Sequence, residues 1–288
     1  MNRFLKNILH FIVYLVLINI ACFAVIKTTY YDEYTQFDGS FDTYLFADSH
    51  GHQLDTLPET LGIFNFSDPS DSYEDMLRKV KYTLTHSSEV KKILLSADVH
   101  TMSTYREDNN NLDRSTIYAR RDDYKSSYDQ FLQHYLRRYV PLLNGKSRDA
   151  ILMHTKSLIP KPFNPEITWS EKTTEQRKAK AKQRADIHFE KSERSEKLEK
   201  LIEEIIAICH KNNIELQGIK FPLTSEYRAE IIGKGYSVEE VLTKHGHTIL
   251  DFSTIFEGHS EYFRDQDHLN GLGASVFAPI LKEKITTP

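Results

Sequence analysis

The stretch Thr43-Tyr44-Leu45-Phe46-Ala47-Asp48-Ser49-His50-Gly51 decides the fold. Thr43–Ala47 is a short, aromatic-rich apolar run that reads as a strand, and the Asp, Ser and Gly that follow turn a chain rather than extend it. Working outward, further strand candidates lie at Leu61–Phe66, Lys91–Ala97, Ala150–His154, Ile214–Phe221 and Thr248–Phe252. Between them, Ser72–Leu84 sets Met76, Val80 and Leu84 at helical spacing. Helices are also predicted near Tyr124–Tyr139, over Ser237–Lys244 and over a closing segment, Gly271–Lys284. Strands alternating with helices predict an α/β protein, with three α/β/α layers on a mostly parallel sheet. A chain of 288 residues is long enough to bury a substantial core in such a domain.

At the N-terminus, Ile8–Ile26 is an apolar run of 19 residues broken only by His10 and Asn19. As a helix it is roughly 28 Å long, close to the hydrocarbon thickness of a bilayer. Arg3 and Lys6 precede it, and Asp32, Glu33, Asp38 and Asp42 follow Lys27, so charge bias puts the long C-terminal part outside the cytoplasm, periplasmic or extracellular. A retained single-pass anchor is the favoured reading. A cleaved signal peptide and a lipoprotein signal ending at Cys22 remain open, and both also export the rest. The predicted organisation is an anchor over 1–27, a tether over 28–42 and one exported domain over 43–288.

Composition removes several classes. A net charge of −4 gives no global reason to bind nucleic acid. Two cysteines, Cys22 and Cys209, exclude a disulfide framework, and the lack of a Cys-x-x-Cys pair excludes a thiolate zinc site. Residues 103–129 read as an irregular polar excursion, and Pro160, Pro162 and Pro165 mark a loop. From about 170 to 212 the chain lacks Pro and Gly and predicts a long charged helix, whose second half sets Leu198, Leu201, Ile202, Ile205 and Cys209 on one face. Its first half carries five basic residues and no acid between Gln176 and Arg184, which is a solvated arm or a contact for an anionic polymer or lipid headgroups.

Two motifs carry chemistry. One is Ala47-Asp48-Ser49-His50 after the first strand; the other is Asp265-Gln266-Asp267-His268-Leu269-Asn270 before the last helix. In an open α/β sheet, sites form beyond the C-terminal strand ends, where Ser49 falls. A serine hydroxyl needs a histidine base, and the base needs an acid to fix its tautomer. Asp265 and His268, three apart, can meet at one turn. Taken singly, Ser49 is equally a turn residue and Asp265 a helix cap.

These motifs, with Gly273-Ala274 behind the second and Lys220-Phe221-Pro222 closing a late strand, resemble the SGNH (GDSL-type) hydrolase superfamily. The similarity extends to its membrane-anchored branch: the alginate O-acetylation proteins and the D-alanyl transfer protein of teichoic-acid operons. The resemblance implies an SGNH/flavodoxin-like fold with Ser49 as nucleophile, His268 as base and Asp265 as its orienter. It implies an esterase or O-acyltransferase acting on a cell-surface polysaccharide or other acyl ester. No cofactor is needed, and a membrane-bound acyl-donor protein is a candidate partner. The family's front glycine is Ala47 here, and the glycine and asparagine that complete its oxyanion hole have no clear match. Asn65, Asp98 and His100 stand near those positions as tentative oxyanion or substrate-binding residues, with Ser67 close by.

Two other readings stay open. The missing oxyanion residues and the charged helix suit a non-enzymatic glycan-binding or accessory protein of an envelope polysaccharide system. The Asp/His pairs Asp48, His50, His52, then Asp98, His100, then Asp265, Asp267, His268 have types that bind divalent metals. Asp48-Ser49-His50-Gly51 also resembles the first block of the metallophosphoesterases, and Gly246-His247-Thr248 faintly resembles their last. Their middle signatures are missing, and His245 and His247 read as loop residues.

Overall fold

The computed structural model describes residues 3–159, 167–190, 193–234, 236 and 238–286. The expected loop at Pro160, Pro162 and Pro165 lies outside them. The chain divides into two compact units: Met1–Phe37 with Leu112–Asn164, and Asp38–Asn111 with Pro165–Pro288.

The second unit is the α/β fold. Five strands, β1 (Thr43–Phe46), β2 (Phe64–Asn65), β3 (Lys92–Ser96), β4 (Glu215–Lys220) and β5 (Ile249–Asp251), form one sheet in the order β2-β1-β3-β4-β5. All four pairings are parallel, with Leu45 beside Leu94 and Leu95 beside Gly218. Side chains alternate across the sheet. Leu45, Leu94 and Ile219 point to one face, into a core with Trp169 and with Phe277 and Leu281 of the closing helix Gly271–Thr286. Tyr44, Phe46, Ile93 and Leu95 are buried on the other face, where the helices Tyr73–His86 and Glu196–Lys211 pack on one another and against the sheet. The chain leaves β1 for one edge through β2, then crosses to β3 on the other side. Such a reversal is where open α/β sheets place their sites, here beyond the C-terminal ends of β1 and β3.

Two expectations differ from this fold. Ala150–His154 is not a strand but the middle of a helix, Gly145–Ser157, started by Asn144, whose side chain accepts from Lys146 N. The long charged helix is two helices, Thr174–His188 and Glu196–Lys211. The first has a capping box between Thr173 and Gln176, and the second begins where Ser195 Oγ accepts from Leu198 N at 3.0 Å. A short helix, Ser225–Ile231, had no sequence expectation.

The first unit contains the apolar helix Arg3–Ile26, continued over Lys27–Tyr31, which is long and apolar enough to cross a membrane. The beginning of the expected tether is folded here. Tyr31 and Tyr34 are buried, Tyr118 Oη donates to Tyr34 O, and the Arg114 guanidinium lies over the rings of Tyr30 and Tyr34. Aromatic rings under arginines make up much of the buried centre of this small unit.

Candidate active site

The turn that carries Ser49 is built locally. Leaving β1, Asp48 Oδ1 accepts from His50 N at 3.0 Å and caps the single turn Ser49–His52, which sets Ser49 first in that turn. Gly51 is required for closeness: a Cβ there would lie 2.5 Å from Ser67 Oγ and 2.7 Å from the Ala47 Cβ. The segment after β2 runs alongside, with Phe66 N donating to Leu45 O and Asp68 N to Ala47 O.

The other half comes from the loop before the closing helix. Arg264 N donates to His268 O, and one oxygen of Asp265 accepts from the backbone N–H groups of Asp267 and His268. The same oxygen lies 2.8 Å from His268 Nδ1. Asn270, not Asp265, caps the helix, its Oδ1 accepting from Gly273 N at 2.9 Å. That leaves Asp265 free to orient the ring. Gly273 packs directly on the preceding loop, since a Cβ would stand 2.1 Å from Tyr262 O. Backbone cannot yield as a side-chain tip can, so Gly273→Ala should cost about 1–3 kcal/mol, measured by thermal melting. Gly271→Ala, where a Cβ meets nothing within 4 Å, should stay within about 0.5 kcal/mol of the parent. Equal melting of the two variants would refute the tight docking of this helix.

The two halves meet. Ser49 Oγ lies 2.8 Å from His268 Nε2, across 219 residues of sequence. A carboxylate only accepts, so Nδ1 of the neutral ring carries the hydrogen toward Asp265 and Nε2 is left to accept from the serine hydroxyl. His268 is 6 % exposed, so solvent competes little for that bond. Burial opposes its imidazolium, but the bonds to Asp265 and Asp267 prevail and raise its pKa above the ordinary histidine value.

Beneath Ser49, His268 and Asp265 lies a buried polar layer that sequence reasoning did not assemble. Asp267 Oδ1 is a second carboxylate oxygen near His268 Nδ1, at 3.2 Å. Its other oxygen accepts from Arg184 Nε at 2.8 Å and lies 3.7 Å from His50 Nε2. Asp267 is held well below the usual carboxylate range, its burial outweighed by His268, His50 and Arg184. His50 Nδ1 is 2.8 Å from Asp98 Oδ2, and His100 Nε2 is 2.9 Å from Asp48 Oδ2. Burial disfavours a charged His50, yet Asp48 and Asp98 overcome it and push its pKa well up. His100 goes the other way, lowered by burial, and its ring stacks at 4.6 Å on that of His188. His188, lowered further by burial and by His100, bonds Tyr227 Oη through Nδ1. Arg184 and His188 are four apart, one helical turn, on the basic helix expected to be solvated. That i, i+4 spacing was the available signal.

The tentative oxyanion residues have other partners. The Asn65 amide donates to Gly51 O at 2.9 Å and to Asp55 Oδ1, bracing the end of the nucleophile turn. Asp98 ties three elements together, accepting from Phe221 N at 3.0 Å while it holds His50. His100 serves Asp48. None of the three has a hydrogen bond to Ser49 among the described residues. His52 pairs with Asp55, and His245 and His247 lie beside His210.

Two clusters offer three potential metal ligands each within 4.8 Å: Asp48, His50 and His100, and His50, Asp267 and His268. They share His50, whose imidazolium its carboxylate neighbours favour, so a metal bound there would have to displace that proton.

No protein-family model matches the chain, and no curated protein matches it. Among solved structures, the chain is similar to a protein of Bacteroides fragilis NCTC 9343 described as a "putative acylhydrolase". That similarity is at 8% identity and a TM-score of 0.42, covering 90% of this chain and 94% of that one.

Proposed function

We propose that the chain is a membrane-anchored, exported SGNH-like esterase or O-acyltransferase that acts on acyl groups of a cell-surface polysaccharide. The observation that carries this reading is the hydrogen-bonded chain Ser49 Oγ–His268 Nε2 and His268 Nδ1–Asp265 Oδ1, each link 2.8 Å. In the proposed reaction His268 takes the proton of Ser49 as its Oγ attacks the ester carbonyl. The Ser49 N–H, first in its turn, faces the developing oxyanion. His268⁺ then returns the proton to the leaving alkoxide, which leaves an acyl-Ser49. Water or a sugar hydroxyl takes the acyl group in the second half-reaction. Export and retention draw support from the long apolar N-terminal helix and from its packing within a folded unit, where Asn19 Nδ2 donates to Tyr139 O at 2.9 Å.

A fluorophosphonate probe, which phosphonylates activated serines, tests the reading. Labelling is expected at Ser49 and lost in Ser49→Ala. His268 must be neutral to act as base, and its pKa is raised, so labelling should fall as pH drops through a midpoint above the ordinary value of about 6.5. The fall should be about tenfold per pH unit. Asp265→Asn should move that midpoint down. A pH-independent rate, or labelling elsewhere, would remove the serine mechanism.

The commitment of Asn65, Asp98 and His100 to other partners favours a second reading, a glycan-binding protein of the same fold with a weak or idle triad. It predicts no labelling while glycan binding persists in Ser49→Ala.

A further inference from the structure

The helical segment 127–139 carries a row of large side chains with no cover. Tyr128, Phe131, Tyr135 and Tyr139 are spaced by three and four, hence on one helix face, and are 70%, 51%, 48% and 52% exposed. Leu152 and Met153 of the next helix are more than half exposed too. An exposed row of this kind along one helix face marks an interaction surface.

The row is continuous with the apolar N-terminal helix. The Tyr139 ring lies 5.4 Å from that of Phe23. Asn19, the one amide inside the apolar run, donates to Tyr139 O, a carbonyl in the last turn before Val140 leaves helical geometry. A helix end in hydrocarbon needs such a partner, and in water it would not. Asn19 lies seven residues before Ile26, so Tyr139 meets the helix roughly 10 Å along its axis from the end of the apolar run. If that helix spans, this contact lies within the leaflet. Three of the four residues in the row are Tyr, which favours the headgroup boundary, and Arg137 within the segment and Lys125 just before it are exposed.

We infer that the insertion 112–159 is a membrane-lying foot, its Tyr128–Tyr139 face seated in the lipid leaflet that the C-terminal half of the apolar helix enters. The inference rests on the anchor reading. Its consequence is that the protein is held at two places, by a span and by an interfacial face.

The test uses the full chain in phospholipid nanodiscs, with single tryptophans added at Ile12→Trp, Phe131→Trp and Tyr135→Trp. Emission is read as the difference from the parent, which contains Trp169. In discs of lipids brominated on the upper acyl chain, all three added signals should fall at least about twofold relative to unbrominated discs. Quenching of Ile12→Trp alone would overturn the foot and leave the anchor standing. Loss of quenching at Ile12→Trp would remove the anchor and the foot together. Added signals at 131 and 135 that resist both brominated lipid and aqueous acrylamide would assign the face to a protein partner instead, and that also overturns the inference.

Discussion

Ser49→Ala and His268→Ala are each expected to lower kcat/KM for a simple acetyl ester by roughly ten-thousandfold or more, and the double variant by hardly more than either. Non-additivity follows from the geometry. The hydroxyl and the imidazole share one hydrogen bond, and neither does chemistry without the other. The two acids should behave differently. Nδ1 of His268 has two carboxylate oxygens in reach, Asp265 at 2.8 Å and Asp267 at 3.2 Å. Asp265→Asn keeps a carboxylate to hold the productive tautomer, so its loss should be about ten- to a hundredfold, well short of what the sole acid of a triad costs. Adding Asp267→Asn should bring the enzyme down to the His268→Ala level. Initial rates with the purified full chain in detergent decide this. Undiminished turnover by Ser49→Ala would end the nucleophile assignment. An Asp265→Asn variant as crippled as His268→Ala would show that Asp267 serves only the buried layer.

The contrast between those two acids shows what a sequence can reveal and what it hides. Ser49 and the Asp265–His268 pair were legible because each is built within a few residues. A strand, a capping aspartate and a glycine present Ser49, and one turn brings Asp265 and His268 together. Five strand positions were legible by the same logic, since short apolar runs between turn residues have few other uses. Asp267 was visible only as a member of a motif. Its partner Arg184 comes from a helix 83 residues earlier, and nothing local announces such a contact. The break in the charged helix was hidden because Phe189 and Ser195 are compatible with helix interiors, and the cap at Ser195 forms only in the folded loop. The segment Ala150–His154 reads as a strand by its Ile, Leu and Met. The Asn144 cap, outside that window, makes it a helix. Asn65, Asp98 and His100 sat where a resemblance wanted donors, yet each stands beside a stronger partner: a carbonyl, a histidine and a carboxylate.

The largest expected effect on stability belongs to Lys79, a lysine with no exposed surface. Its Nζ donates to Phe66 O at 2.8 Å, to Asp68 Oδ2 at 2.8 Å and to Asp71 Oδ2 at 2.7 Å, so all three of its hydrogens are used. It reaches from the helix Tyr73–His86 under the segment 66–71, and so pins the backbone that lies along the nucleophile turn. Lys79→Met keeps the stem and removes the charge, leaving the equally buried carboxylate of Asp71 with Asn111 Nδ2 but without its cation. Breaking a buried pair from one side costs about 3–5 kcal/mol, or about 10 °C in melting temperature for a domain of this size. Lys81→Met, which loses a half-buried pair whose Glu204 partner faces solvent, should cost far less, about 1 kcal/mol. Lys79→Met with Asp71→Asn should recover part of the loss, because the stranded charge is then gone. Since the same segment abuts Gly51 through Ser67, Lys79→Met should also lower fluorophosphonate labelling well below its melting point, whereas Lys81→Met should not. A Lys79→Met protein that melts within about two degrees of the parent would mean that the segment is held by its backbone bonds to β1 and not by the lysine.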